Sequence, residues 1–320
     1  MPGALPTSPL PRHAPQAALL ADGRLHLQDG PIDLIIEANG TAEAVHAAYA
    51  AAAERFAGLL DELCDELPAL RAPAAPDASP LRGPVARRMW AAVRPFAAEH
   101  FITPMAAVAG AVAQEILAAM VRPGLARAYV NNGGDIALHL SQGESFRIGL
   151  VDRPDQPSLT GTAVVDHDSP ARGIATSGWR GRSFSLGIAD AVTILAPDAA
   201  MADAAATIVA NAVDLPGRRD IVRVPAESLQ PDNDLGARRV TRAVPLLAPE
   251  ERAQALDTGL ACAHHLVRRG LICAAALHLQ GETVAIGPGL LQSFPATRRA
   301  ASPEAPQHRL PQHQQGRTHA

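Results

Sequence analysis

Asp203 and Thr207 stand four residues apart in the run MADAAATIVAN. On a helix that spacing stacks both side chains on one face. A carboxylate and a hydroxyl one turn apart can reach a single hard cation, which prefers oxygen ligands. The plainer account is an acidic residue near a helix start, where it suits the dipole, with threonine as filler. Spacing alone favours that account.

Three other stretches carry polar groups in places where chemistry could use them. AYVNNGGDIALHL, residues 128–140, sets two asparagines, two glycines and an aspartate between apolar runs. A hairpin turn needs only Asn-Gly or Gly-Gly. Asp135 is the first group out of the turn, so either the turn is over-furnished or the backbone bends around something bound. ITPMAAVAGAVAQEI, residues 102–116, is small-sided at Ala106, Ala107, Ala109, Gly110, Ala111 and Ala113. A ligand could lie against main-chain carbonyls there, although close helix packing explains the same pattern. RGIATSG, residues 172–178, closes a strand with Thr176, Ser177 and Gly178, whose hydroxyls and amides could hold phosphate oxygens. His167 lies between Asp166 and Asp168, but the SPARG that follows reads as a solvated hairpin tip. No G-x-S-x-G, H-E-x-x-H, GxGxxG or EF-hand pattern is present.

Composition narrows the classes. Hydrophobic residues are 48% and charged residues 19%, enough to bury a core in 320 residues, while aromatics are only 3%. A net charge of -4 without a basic stripe argues against nucleic acid. All 28 basic residues other than histidine are arginine, which removes lysine Schiff bases and the lysine-dependent P-loop. Cys64, Cys262 and Cys273 are too far apart for a C-x-x-C pair and read as reduced, buried thiols. The Pro-rich start lacks an apolar leader, and the apolar runs are too short to span a membrane. These features lead to the expectation of a cytoplasmic protein with no membrane partner.

The elements that must position these residues follow from periodicity. Residues 1–18 and 288–320 are expected to be disordered, flanking a domain over 19–287. Two strands surround Asp29-Gly30, and one helix follows Gly40 with Thr41 as cap. Further helices are expected over Ala86–Phe96, from Thr103-Pro104 with Thr103 capping, from Asp198, and over 248–269. Strands are expected beside the NNGGD turn, in SFRIGLV, TAVVD, GIATSG and GIADAVTILA, and in a closing hairpin over Gln280-Gly281. Consecutive strands in mixed order argue α+β, a single compact domain or two packed lobes, with antiparallel sheet.

The order of the motifs, A-V-A-G-A-V-A, N-N-G-G-D, A-T-S-G and A-D-A-A-A-T, resembles the ApbE superfamily, whose founding members are FAD:protein FMN transferases. That superfamily carries A-x-A-K-G-Y-A-like, N-x-G-G-D, A-T-S-G and A-D-A-x-x-T motifs. The likeness covers about residues 20–285 and looks closest to an uncharacterised cytoplasmic branch. It implies an ApbE-like (T-fold-like) fold and a Mg²⁺ ion held by Asp203, Thr207 and the carbonyl of Ala109. It also implies FAD as substrate or ligand, with Asn132, Gly133, Gly134, Thr176 and Ser177 lining its cleft. Asp135 becomes the candidate catalytic residue, orienting a Ser or Thr hydroxyl of an acceptor protein that would receive FMN. Two departures weigh against transfer. The superfamily's lysine falls at Gly110, and its S-H-I-x-D-P-x-T-G stretch reads SFSLGIADAV here, residues 183–192. The alternative implied is a non-catalytic flavin-binding or accessory protein of an oxidoreductase; few aromatics also leave open a scaffold without flavin. A homo-oligomer stays open.

Overall fold

Apolar residues alternate from the first strands onward, and the alternation assigns their faces. In the computed structural model, which describes residues 14–151, 159–288 and 298–299, β1 (Gln16–Leu19), β2 (Leu25–Asp29) and β3 (Ile32–Gly40) form an antiparallel meander. Leu34, Ile36 and Ala38 point inward along β3, as period two requires. Gly30 turns the β2–β3 hairpin with φ +55°. α1 (Ala42–Phe56) is capped by Thr41, whose hydroxyl accepts from the Ala44 amide at 3.3 Å. The expected single helix breaks at Gly58, φ +80°, and restarts as α2 (Leu59–Asp65), followed by α3 (Leu67–Leu70). α4 (Pro84–Val93) then precedes a 3-10 turn, Arg94–Phe96.

The small-sided segment begins as a 3-10 turn, Pro104–Ala107, and continues as α5 (Val108–Met120). Thr103 does not cap it. Its hydroxyl instead donates to Asp234, 131 residues on. β4 (Leu125–Asn132) and β5 (Asp135–Leu140) make the hairpin over Gly133-Gly134. β6 (Ser145–Val151) and β7 (Leu159–Asp166) pair as a separate ribbon. β8 (Gly173–Ser177), β9 (Ala191–Ala196), α6 (Ala199–Ala212), β10 (Val222–Pro225), β11 (Arg239–Ala243) and α7 (Pro249–Arg268) follow. β12 (Ala274–Leu279) and β13 (Glu282–Ile286) close the chain's main sheet, with a two-residue β14 (Arg298–Arg299) beside β13. Residues 187–190, expected as the start of β9, carry no strand.

The main sheet runs β1-β2-β3-β4-β5-β8-β9-β12-β13-β14, and every pair except β13–β14 is antiparallel. The class is α+β with antiparallel sheet, as the element order implied, and of the two arrangements left open it is the single domain. Helices α5, α6 and α7 cover one face, over Ala128, Val130, Ala137, Ile194 and Leu277. The β6–β7 ribbon covers the other, over Leu138, Leu140, Ile174, Leu195 and Ala276. Strands β9 and β12 are therefore buried on both faces. The segments expected to be disordered lie mostly outside the described residues, although β1 begins at Gln16 and β14 falls within the second.

Glycine lets both α5 and β8 meet the start of α6 at backbone distance. A Cβ on Gly110 would stand 2.1 Å from the Ala199 carbonyl oxygen, and one on Gly173 would stand 2.2 Å from the Asp198 carbonyl. The small residues of α5 thus serve helix packing along most of their length, and Ala111 and Ala113 are fully buried.

Candidate functional site

β5 and β8 pair only at Ile136↔Ile174 and Ala137↔Gly173. Beyond those positions the strands part, and a cavity of about 1070 Å³ opens beside them. That volume lies at the top of the usual range for small-molecule pockets. One wall is polar and carries Asn132, Asp135, Thr176, Ser177, Asp203 and Thr207. The other is aliphatic, built from α2, the β2–β3 turn, α5 and β6, with Leu60, Leu63, Met105, Val108, Val112 and Leu150. Among the described lining residues none is aromatic.

The polar wall is organised around the first turn of α5. That helix has no side-chain cap of its own. Asp203 supplies one from α6: its Oδ2 accepts from the Gly110 amide at 3.0 Å. The Asn132 side-chain amide donates to the Ala109 carbonyl at 3.2 Å. Asp198, by contrast, caps α6 itself, accepting from the Met201 amide at 2.8 Å. Thr207 lies one turn beyond Asp203 and also lines the cavity. Among the described residues its hydroxyl makes no hydrogen bond.

The turn is held from within. The Gly134 amide donates to Asn131 Oδ1 at 2.8 Å, and both glycines take positive φ, +65° and +117°. Asp135 Oδ1 accepts from the Thr176 amide at 3.3 Å, and the Thr176 hydroxyl bonds that of Thr193 at 2.9 Å. Burial pushes the Asp135 carboxyl up to about 7, against a single amide hydrogen bond that lowers it. Burial raises the Asp203 carboxyl well above the usual range, and the neighbouring Asp135 charge raises it further. Two carboxylates that disfavour each other's ionisation inside a cavity, with a hydroxyl alongside, form the oxygen-rich environment that a hard divalent cation relieves. Among the described residues no three His, Cys, Asp or Glu side chains cluster, so the two carboxylates are the acidic groups of this wall and any further ligand is a hydroxyl or a main-chain carbonyl.

The metal, cofactor and catalytic candidates from the motifs line one cavity: Ala109, Asn132, Gly133, Gly134, Asp135, Thr176, Ser177, Asp203 and Thr207. Their pattern did not reveal the aliphatic wall or the loop that follows Gly178. In that loop Asp190, 4% exposed, binds Trp179 Nε1 at 3.1 Å, Arg180 Nε at 2.7 Å and the Gln280 amide at 2.6 Å. Arg180 also lies over the Trp179 ring, and Arg182 reaches the cavity rim. Two arginines separated by glycine in WRGRS were the available signal. Cys64, expected to be buried, is exposed and lines the aliphatic wall. His167 lies exposed at the end of β7, its Nδ1 3.0 Å from the Leu140 carbonyl, and does not line the cavity.

Fold and cavity together describe an α+β protein with a polar-and-aliphatic cavity beside a parted sheet. No helix among the described residues is long and apolar enough to cross a membrane. The chain belongs to the family described as AbpE bacteria, whose model matches residues 17–285. It is 41% identical over 113 residues to a UPF0280 protein of Methanosphaerula palustris, covering 35% of this chain and 47% of that one. It is 39% identical over 134 residues to a UPF0280 protein of Methanothrix thermoacetophila, 41% of this chain and 52% of that one. A UPF0280 protein of Archaeoglobus fulgidus is 36% identical over 126 residues, 39% and 51% of the respective chains. The chain thus spans about half the length of the curated relatives it matches.

Proposed function

We propose that the cavity binds a flavin dinucleotide, FAD, as its Mg²⁺ complex, on an ApbE-like (T-fold-like) version of the α+β fold. The observation that carries this reading is the hydrogen bond from the Gly110 amide to Asp203. It joins the small-residue segment to the A-D-A-A-A-T helix on one wall, with Asn132 and Asp135 completing it. Asp203 and Thr207 would hold the ion, with the Ala109 carbonyl as third ligand. Once bound, Mg²⁺ would neutralise pyrophosphate charge. The aliphatic wall would take a ring system by contact rather than by aromatic stacking.

Transfer of FMN to a partner's Ser or Thr is the activity that the superfamily likeness adds. Asp135 would accept the hydroxyl proton as oxygen attacks the FMN phosphorus and the bond to AMP breaks. Two observations favour the non-catalytic version, a flavin-binding or accessory protein. The position of the superfamily's lysine is Gly110, where even a Cβ meets the Ala199 carbonyl at 2.1 Å. Residues 183–192 serve packing: Ser185, Gly187, Ile188, Ala189 and Asp190 are buried, and Asn211 holds the Leu186 amide at 2.9 Å.

Titration of FAD with and without Mg²⁺ tests the reading. Wild type should bind FAD in a Mg²⁺-dependent way, and Asp203→Asn should lose at least about tenfold in affinity. Absence of FAD binding at any Mg²⁺ concentration overturns it. Release of AMP in the presence of a Ser/Thr acceptor separates the transferase from the accessory version.

A further inference from the structure

Three arginines line the cavity, and two of them are engaged. Arg71 pairs with Asp232, while Arg180 pairs with Asp190 and stacks on Trp179. Arg182 differs: among the described residues it makes no hydrogen bond, ion pair or ring contact. Its guanidinium lies over the NNGGD turn, with Nη1 3.3 Å from where a Cβ on Gly133 would stand. Gly133 lies directly beneath it. Its φ of +65° closes the turn, and the guanidinium rests against its Cα. The loop behind Arg182 is anchored by Asp190 through three hydrogen bonds, so the arginine is carried by a fixed support.

We propose that Arg182 is the anion-binding residue of the cavity, gripping phosphate oxygens of a diphosphate ligand from the rim while the carboxylate wall holds the metal. This rests on the preceding reading for the identity of the ligand as a metal-bound diphosphate. Asp203 and Asp135 call for a cation, and Arg182 calls for an anion. A metal diphosphate presents both in one ligand. The guanidinium fork suits phosphate, gripping two oxygens at once. It also places a positive charge at the cavity although Gly110 leaves no room for one on α5. Ser177 and Ser183, which line the same cavity, supply neighbouring hydroxyls.

Calorimetric titration of the full chain in Mg²⁺ with FAD, inorganic pyrophosphate and riboflavin provides the test. Arg182 is exposed, so Arg182→Gln should keep the wild-type melting temperature. Arg182→Gln is expected to weaken FAD and pyrophosphate by about tenfold or more, with riboflavin unchanged, and Arg182→Lys to restore part of the loss. If Arg182→Gln binds FAD as wild type does while Asp203→Asn does not, the role of Arg182 is overturned and the flavin reading stands. Arg182-dependent binding of pyrophosphate without binding of FAD upholds Arg182 and overturns the flavin ligand. Failure of wild type to bind either phosphate ligand overturns both.

Discussion

Asp203 caps a helix to which it does not belong: its Oδ2 accepts from the amide of Gly110, 93 residues earlier in the chain. One carboxylate thus ties α5 to α6 and faces the cavity. Substitution should separate the two roles. Asp203→Asn keeps an oxygen to accept from Gly110, so its stability should stay close to wild type while Mg²⁺-dependent binding falls. Asp203→Ala loses the cap as well and should cost about 1 kcal/mol more in urea unfolding. Equal stability of the two variants would show that the cap contributes nothing.

The metal-free protein should lose stability as pH rises. Asp135 has its folded pKa raised to about 7 from the ordinary 3.8. Between those values the native state keeps a proton that the unfolded chain has released, so this group makes stability fall from about pH 4 to pH 7. Asp203, shifted in the same direction, adds to the slope. Urea unfolding in EDTA across this range should show the decline, and Asp135→Asn should flatten it. A stability that instead climbs through this window in the wild type would contradict the assignment.

Gly110→Ala should destabilise the fold. The added methyl meets the Ala199 carbonyl oxygen at 2.1 Å, and the atoms it strikes are backbone of α6, which cannot swing aside. Overpacking of this kind costs about 1–3 kcal/mol, a fall of several degrees in Tm by calorimetry. The neighbouring Ala109→Gly, on the cavity side, should cost about 1 kcal/mol, from helix propensity alone.

Asp190 secures the loop that presents Arg182. Asp190→Ala leaves the Gln280 amide and the Trp179 indole without this acceptor and removes the ion pair with Arg180. The expected loss is about 3 kcal/mol or more. Trp179 and Trp90 are the chain's two tryptophans, so a red-shifted emission should accompany the change. An unaltered spectrum with wild-type stability would remove Asp190 as the anchor.

Local signals carried most of the fold. Thr41 and Asp198 cap the helices their positions suggested, and Asp29-Gly30 and Gln280-Gly281 turn their hairpins. Where expectation failed, a distant partner intervened. Thr103 gives its hydroxyl to Asp234 rather than to its own helix, and α1 stops early because Gly58 adopts positive φ. Asn132, Asp135, Thr176, Asp203 and Thr207 were visible because each is a polar group beside an apolar run. The aliphatic wall was not, because Leu60, Leu63 and Val112 look the same in a core as in a pocket. Asp203 read as a helix-start residue, and only the packing of α5 on α6 turns it into a cap across helices.

Asn132 and Asp135 face each other across the two-glycine turn, on the same side of the sheet as Ala128, Val130 and Ala137. Polar reach and hydrophobic order here share one register. A single-residue slip of β5 against β4 would turn Asp135 and Ala137 together to the opposite face, taking the carboxylate from the cavity and the methyl from the core. The pocket's aim is therefore guarded by the folding free energy of the whole sheet, and an insertion at Gly133-Gly134 would damage recognition and stability together.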